Sequence, residues 1–150
     1  MAVTRERPYG NYDFLVDIGT GDPASISAGF SEVQLPETSF DVIEYRIGSE
    51  KLSGVRKIPG RAHYGNLVLK RGSLGVLDLY QWVTQIRNGD IGAYRNVVIQ
   101  LQSEDRTSIV LTWKVYRAWP VRYKFTPLCG TGKELLVEIL ELVCEDLEME

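Results

Sequence analysis

The stretch RNVVIQLQSEDRTSIVLTWKVYRA, residues 95–118, decides the reading of the fold. Over residues 95–102, Val97, Ile99 and Leu101 alternate with Asn96, Val98, Gln100 and Gln102, the two-residue period of a strand. Ser103-Glu104-Asp105-Arg106 is a polar step that turns the chain, and over residues 108–118 Ile109, Leu111, Trp113 and Val115 again share one face. Two such runs across a short polar turn predict a β-hairpin. After Pro120, Val121, Tyr123 and Phe125 alternate with Arg122 and Lys124 and mark another strand.

The same period recurs upstream. Residues 12–18 set Tyr12, Phe14, Val16 and Ile18 on one side, and Gly19, Gly21, Asp22 and Pro23 then form a turn. Strands are expected over residues 26–34 and 40–47, separated by Leu35-Pro36-Glu37, with a short one over 66–70. One helix interrupts the series. Leu79, Trp82, Val83 and Ile86 fall at i, i+3, i+4 and i+7, with Ser73 as N-cap, Asp78 near the positive end and Asn88-Gly89-Asp90 as the stop. Residues 48–64 read as a long Gly- and Ser-containing loop with scattered charge, and residues 1–11 as a polar arm that orders only against a partner.

The C-terminal segment supports two readings. Glu134, Glu138, Glu141, Glu145 and Glu148 recur at spacings of 4, 3, 4 and 3, a helical period. As a strand, Leu135, Val137, Ile139 and Val143 would line one face and Leu136, Leu140 and Leu142 the other, so both faces would need cover. Periodicity alone favours the helix.

The totals bound the function. The chain has 150 residues, 44% hydrophobic and 25% charged, which suits a single domain over 1–150 with a sizeable core. A net charge of -3 argues against a general nucleic-acid binder. No run reaches the ~20 apolar residues of a membrane-spanning helix, and MAVTRERPYGNY lacks the apolar centre of a secretory signal. Synthesis and assembly in the cytoplasm, without membrane insertion by this chain, are therefore expected. Cys129 and Cys144 have no neighbouring histidine and read as free thiols, so no metal or other cofactor is expected. His63 is the one histidine and has no carboxylate or cysteine at triad or ligand spacing. Cys129-Gly130-Thr131-Gly132-Lys133 resembles a phosphate loop only in part: Pro127 and Glu134 stand where a glycine and a Ser or Thr are required. No enzyme is expected. Charge is polarised along the chain, with six basic and no acidic residues over 51–77 and seven acidic and no basic residues over 134–150. That polarity suits self-association, where a positive patch of one copy meets a negative patch of the next.

Motifs spread along nearly the whole chain carry a resemblance. They are Pro8-Tyr9, the strand with Phe14 and Val16, Ala28-Gly29-Phe30-Ser31-Glu32-Val33, and Val42-Ile43-Glu44-Tyr45-Arg46 with Gly48. Ile58-Pro59-Gly60, Leu67-Val68-Leu69-Lys70-Arg71-Gly72 and the helix with Trp82 follow. Arg95 with Val98-Ile99, Trp113, Ala118-Trp119-Pro120-Val121 and Glu138-Ile139-Leu140-Glu141-Leu142 complete the series. In this order the chain resembles the tail-tube family of contractile phages, R-type bacteriocins and extracellular contractile injection systems. Residues 122–133 depart from the family in being longer and more basic.

The resemblance implies a mainly β, barrel-like domain with one helix on its outside, assembling into six-membered rings that stack into a tube. It implies a strand over 134–147, whose second apolar face a neighbouring subunit would cover. It also implies as partners further copies of the chain, a contractile sheath protein, baseplate or hub proteins, and a luminal cargo, within a phage tail or tail-like particle. Lys51, Arg56, Lys57 and Arg61 would lie in an inter-subunit loop at the ring-stacking contact. Glu145, Glu148 and Glu150 would face the sheath or another subunit, and Phe14, Phe30, Tyr45, Trp82, Trp113 and Trp119 would form core or subunit seam. The alternatives are a tube initiator or baseplate paralogue on the same fold, the related type VI secretion tube, a soluble non-enzymatic binding module, and a nucleic-acid binder using residues 51–71 with Tyr64 for stacking.

Overall fold

The decisive hairpin forms as expected, but its second strand is much longer than its alternation indicates. In a computed structural model that describes residues 2–19, 29–48 and 54–150, β6 (Arg95–Gln102) pairs antiparallel with β7 (Ile109–Phe125), which runs through Pro120. The strands before it are β1 (Phe14–Asp17), β2 (Glu32–Gln34), β3 (Thr38–Tyr45), β4 (Arg56–Tyr64) and β5 (Leu67–Gly72), and those after it β8 (Val137–Val143) and β9 (Asp146–Met149). Of the strand expected over 26–34 only β2 is described, and residues 26–28 lie outside the described residues, as do Gly21, Asp22 and Pro23 of the expected turn.

β7 organises the sheet. Residues 109–118 pair with β6 on one side, whereas Trp119 to Phe125 pair with β8 on the other, so two halves share one strand. At the changeover Arg117 adopts φ 51, its N–H donates to the Asn96 side chain at 3.1 Å, and the ladder to β8 shifts register between Pro120 and Arg122. Such irregularities let a strand bend out of one sheet and into another. The half-sheet β1-β6-β7-β9 then faces the half-sheet β7-β8-β5-β2. Val16, Val97, Ile99 and Val115 from the first meet Leu67, Leu69, Leu140 and Leu142 from the second in one buried cluster. Each such burial stabilises by about 1.5–3 kcal/mol.

The C-terminal segment is strand over β8 and β9, and helical periodicity is the wrong guide there. Residues 134–136 and 144–145 of the strand expected over 134–147 lie outside both. Glu138, Leu140 and Leu142 point inward, while Val137, Ile139, Glu141 and Val143 are half-buried on the other face. Two acids of the apparent stripe are held by long-range partners within the chain. Glu138, only 4% exposed, receives the Arg71 guanidinium at 3.0 Å and the Tyr123 hydroxyl at 2.7 Å, and Glu141 accepts from Asn66 at 2.7 Å. Burial strips water from Arg71 and pulls its pKa down, but Asp78 and Glu138 more than offset that and hold it above its usual value. Burial, then the bond to Glu138, pushes the Tyr123 hydroxyl up.

The helix α1 (Asp78–Arg87) starts later than Ser73 would set it. Ser73 is not the cap: its N–H bonds the Leu136 carbonyl at 2.9 Å, and the Leu77 cap position makes no side-chain bond. Asp78 instead braces Arg71 at 2.7 Å. The apolar face lands as expected, with Leu79 and Trp82 buried and Val83 and Ile86 packed against the core. Trp82 donates to the Ala93 carbonyl at 2.7 Å, and Gly89 at φ 79 ends the helix in the left-handed region.

The N-terminal arm finds its partner within the chain. Val3 N–H bonds the Val110 carbonyl at 3.0 Å, Arg5 reaches Glu104 on the β6–β7 turn at 2.8 Å and lies 3.8 Å over the Tyr9 ring. The hydrogen bond from Arg5 holds the Glu104 carboxyl at about 2, below its ordinary 4.5. Because the folded value is depressed, this anchor is in full force above pH 4.5 and is lost as pH falls toward 2. The Tyr9 ring resonances are expected to titrate across that window, and to be flat there in Arg5→Ala.

Removing one partner of a buried pair leaves an uncompensated charge. Glu138→Ala is therefore expected to cost about 3–5 kcal/mol in urea unfolding, and Arg71→Met combined with Glu138→Leu much less than the single change.

Candidate functional site

The segment expected to be a loop over 48–64 is, from residue 56 onward, a strand. β4 pairs with β3 as a separate two-stranded hairpin outside the main sheet. Its residues are almost all exposed, although they include Phe40, Val42, Ile43, Tyr45 and Ile58. An isolated two-stranded hairpin is marginal in water, so this element needs cover. The register slips between Phe40 and Val42, where Gly60 and Arg61 together stand opposite Asp41. A Cβ at Gly60 would come within 3.0 Å of Asp41, so the bulge favours glycine.

The pairing sorts the hairpin into two sides. Phe40 opposite Ala62, Val42 opposite Pro59, and Glu44 opposite Lys57 share one side; Ile43 opposite Ile58 and Tyr45 opposite Arg56 share the other. The basic residues therefore do not form one patch. Lys57 lies with Phe40, Val42 and Pro59, Arg56 with Tyr45 and Ile58, and Arg61 in the bulge. Among the described residues Lys57 and Arg61 make no ion pair, and Lys51 lies outside the described residues. On the first side an open groove of about 480 Å³ is lined by Phe40, Asp41, Val42, Lys57, Ile58 and Pro59. His63 pairs with Asp41 at 2.9 Å.

The aromatic set divides. Trp82 and Phe30 are buried, and Phe14 and Trp113 are half-buried against the core. Phe14 and Trp113 also border an open cavity of about 730 Å³ between the two half-sheets and the residues 9–12 of the arm. Trp119 is half-buried and stacks on Tyr94 at 6.3 Å, with Arg117 5.0 Å over the Tyr94 ring. Tyr45, at 52% exposure, is not a core residue of the single chain.

The acidic C-terminus is not bare charge either. β9 pairs with β7, where Glu145 meets Arg117 at 2.8 Å, Glu148 accepts from the Tyr116 hydroxyl at 2.6 Å and Glu150 meets Lys114 at 2.8 Å. The basic run loses Arg71 to the interior and Lys70 to a surface pair with Glu32 at 2.8 Å. Among the described residues no cluster of three or more His, Cys, Asp or Glu is arranged for a metal ion, and no helix is long and apolar enough to cross a membrane.

A second exposed apolar set was missed in the sequence. Leu74 and Leu77 before α1, Phe125 at the end of β7, and Leu128 and Leu135 in the β7–β8 loop are all exposed. Their signal was present, since leucines in a turn segment have no core to enter, but only pairing of β5, β7 and β8 brings them to one end of the molecule.

Residues 10–148 match the family described as T4-like virus tail tube protein gp19. Among curated proteins none matches the chain. The fold is similar to a chain in the sheath–tube complex of an extracellular contractile injection system, PVC, in its extended state (25% identity, 97% of this chain and 93% of the other, TM-score 0.83). It is similar to a chain of the anti-feeding prophage baseplate to the same degree (25% identity, 97% of each chain, TM-score 0.82). Hcp1 from Flavobacterium johnsoniae shares the fold at 15% identity, 92% of this chain, 94% of the other and TM-score 0.55. The chain belongs to the T4-like virus tail tube protein gp19 family.

Proposed function

We propose that this chain is the inner-tube subunit of a contractile injection system or phage-like tail, built as stacked six-membered rings that make a rigid conduit. The observation that carries this reading is the similarity over 97% of the chain to a component of a sheath–tube complex, together with the family match over residues 10–148. The geometry agrees with it. β1 and β2 end the main sheet without a described partner on their outer edges. Free edges of this kind invite pairing, and pairing between neighbours around a ring removes them. The tube is passive, and contraction of a surrounding sheath supplies the work. It is a structural subunit and not an enzyme, made and assembled in the cytoplasm and acting within a tail-like particle.

Arg56, Lys57 and Arg61 stand on the exposed hairpin, and with Lys51 in the preceding segment they are the proposed contacts to a neighbouring copy. Each exposed charge pair would contribute only ~0.2–1 kcal/mol, so the effect depends on repetition around a ring. Arg56→Glu combined with Lys57→Glu is expected to leave the monomer's thermal midpoint nearly unchanged and to shorten tubes. Tubes of normal length from this variant would remove these residues from the stacking contact.

Glu145, Glu148 and Glu150 face outward beside their β7 partners and are the proposed sheath-facing set. Glu148→Lys with Glu150→Lys is expected to reduce sheath recovered on tubes after co-expression; normally sheathed particles would contradict that role. The whole reading is tested by negative-stain microscopy of the purified protein across a concentration series. Hexameric rings and hollow tubes are expected, rings that never elongate would indicate an initiator, and a monomer at every concentration in the presence of baseplate proteins would overturn the reading.

A further inference from the structure

Residues 2–12 contribute nothing to the buried cluster; the first buried position of the chain's described start is Asp13. The segment is nevertheless shaped, and one side chain shapes it. Arg5 donates to the Arg7 carbonyl at 2.8 Å and to the Pro8 carbonyl at 2.6 Å, while the Tyr9 hydroxyl donates back to the Val3 carbonyl at 2.8 Å. The same guanidinium grips Glu104 with two nitrogens on two oxygens, at 2.8 and 2.5 Å, and the Gly10 N–H also bonds that carboxylate. Such a two-point fork is the strong geometry for a charged pair.

These contacts trace a path around the tip of the β6–β7 hairpin. Val3 bonds Val110 on the β9 edge of β7, Arg5 and Gly10 reach the turn at Glu104, and Phe14 pairs with Leu101 on the outer edge of β6. The Phe14 end is fixed, because the Gln102 N–H donates to the Asp13 carbonyl and Arg106 meets the Asp13 carboxylate, both at 2.8 Å. Between that fixed end and the grip, Tyr9 to Tyr12 wall the cavity of about 730 Å³, opposite Val33, Leu111 and Trp113.

We propose that residues 3–12 are a releasable strap: the Arg5–Glu104 grip holds them closed over the cavity between the half-sheets, and loss of the grip opens its apolar walls. A segment with no buried residue opens locally at a cost far below that of global unfolding. A grip made of charge at the surface weakens as salt screens it, so ionic strength sets how often the strap is open. The cavity reaches β1 at Phe14 and β2 at Glu32 and Val33, so the strap governs the surface beside both outer strands. It is a property of the single chain and does not rest on the tube-subunit reading.

Thiol labelling of dilute, unassembled protein tests the strap. Leu111→Cys, and separately Val33→Cys, places a thiol on the cavity wall in a Cys129→Ser background, and either suffices where the other fails to fold. Native Cys144, half-buried outside the cavity, is the internal reference. Adding Arg5→Ala or Glu104→Ala is expected to speed maleimide labelling at the wall roughly fivefold, the full worth of a well-formed exposed pair, with Cys144 unchanged. The two changes together should label no faster than either alone. High salt should speed wall labelling in the parent and leave the Arg5→Ala rate where it is. Wall labelling that is the same with and without Arg5 overturns the strap, and so does an acceleration shared equally by Cys144, which is global unfolding.

Discussion

A strand of seventeen residues cannot serve one flat sheet in a domain of this size, and β7 does not try. It gives its first part to β6 and β9 and its last part to β8, changing allegiance at Arg117–Pro120. Everything else is arranged around that corner. The two half-sheets face one another because β7 bends, the core fills the space they enclose, and α1 closes it with Trp82. Proline at position 120 is compatible with the bend because the ladder slips beside it. The arm and the C-terminus are secured to the same strand, through Val110 and through Trp113 to Tyr116.

The corner also decides what remains unsatisfied. Folding one strand into two half-sheets leaves an open seam, with β1 and β2 as outer edges and a cleft of about 730 Å³ between the half-sheets. The hairpin β3–β4 contributes almost nothing to the interior, and its apolar residues stay in water. A chain that ordinarily acted alone would suppress such surfaces with charge or cover. Here they coincide with membership of a tail-tube family, and the simplest physical account is that neighbouring copies complete the fold.

Elements whose period agreed with their burial were legible in the sequence. β6 and the apolar face of α1 read correctly because a single buried face imposes its period, whereas the first part of β7 buries Val110 and Thr112 opposite the expected face, of which Ile109, Leu111 and Trp113 are only half-buried. Of the hairpin, β3 was expected as a strand but β4 was not, because neither side of β4 is buried and Gly60 and Pro59 look like loop residues when no core constrains them. The C-terminal strand was legible only through resemblance, since Glu138 occupies a core-facing position that periodicity assigns to solvent. Its justification, Arg71, lies 67 residues away and was read as surface charge. Contacts of that sequence separation leave no local pattern. The same holds for the exposed leucines at 128 and 135, which only the pairing of β7 with β8 brings to one end of the sheet.

The central claim is that assembly covers surfaces the single chain leaves open. Hydrogen exchange of β1, β2 and the β3–β4 hairpin, compared between dilute monomer and assembled material, tests it most directly. The account expects fast exchange at these amides in the monomer and strong protection in the assembly, with β6 and β8 protected in both. Equal exchange in the two states at the hairpin and both edges would contradict it.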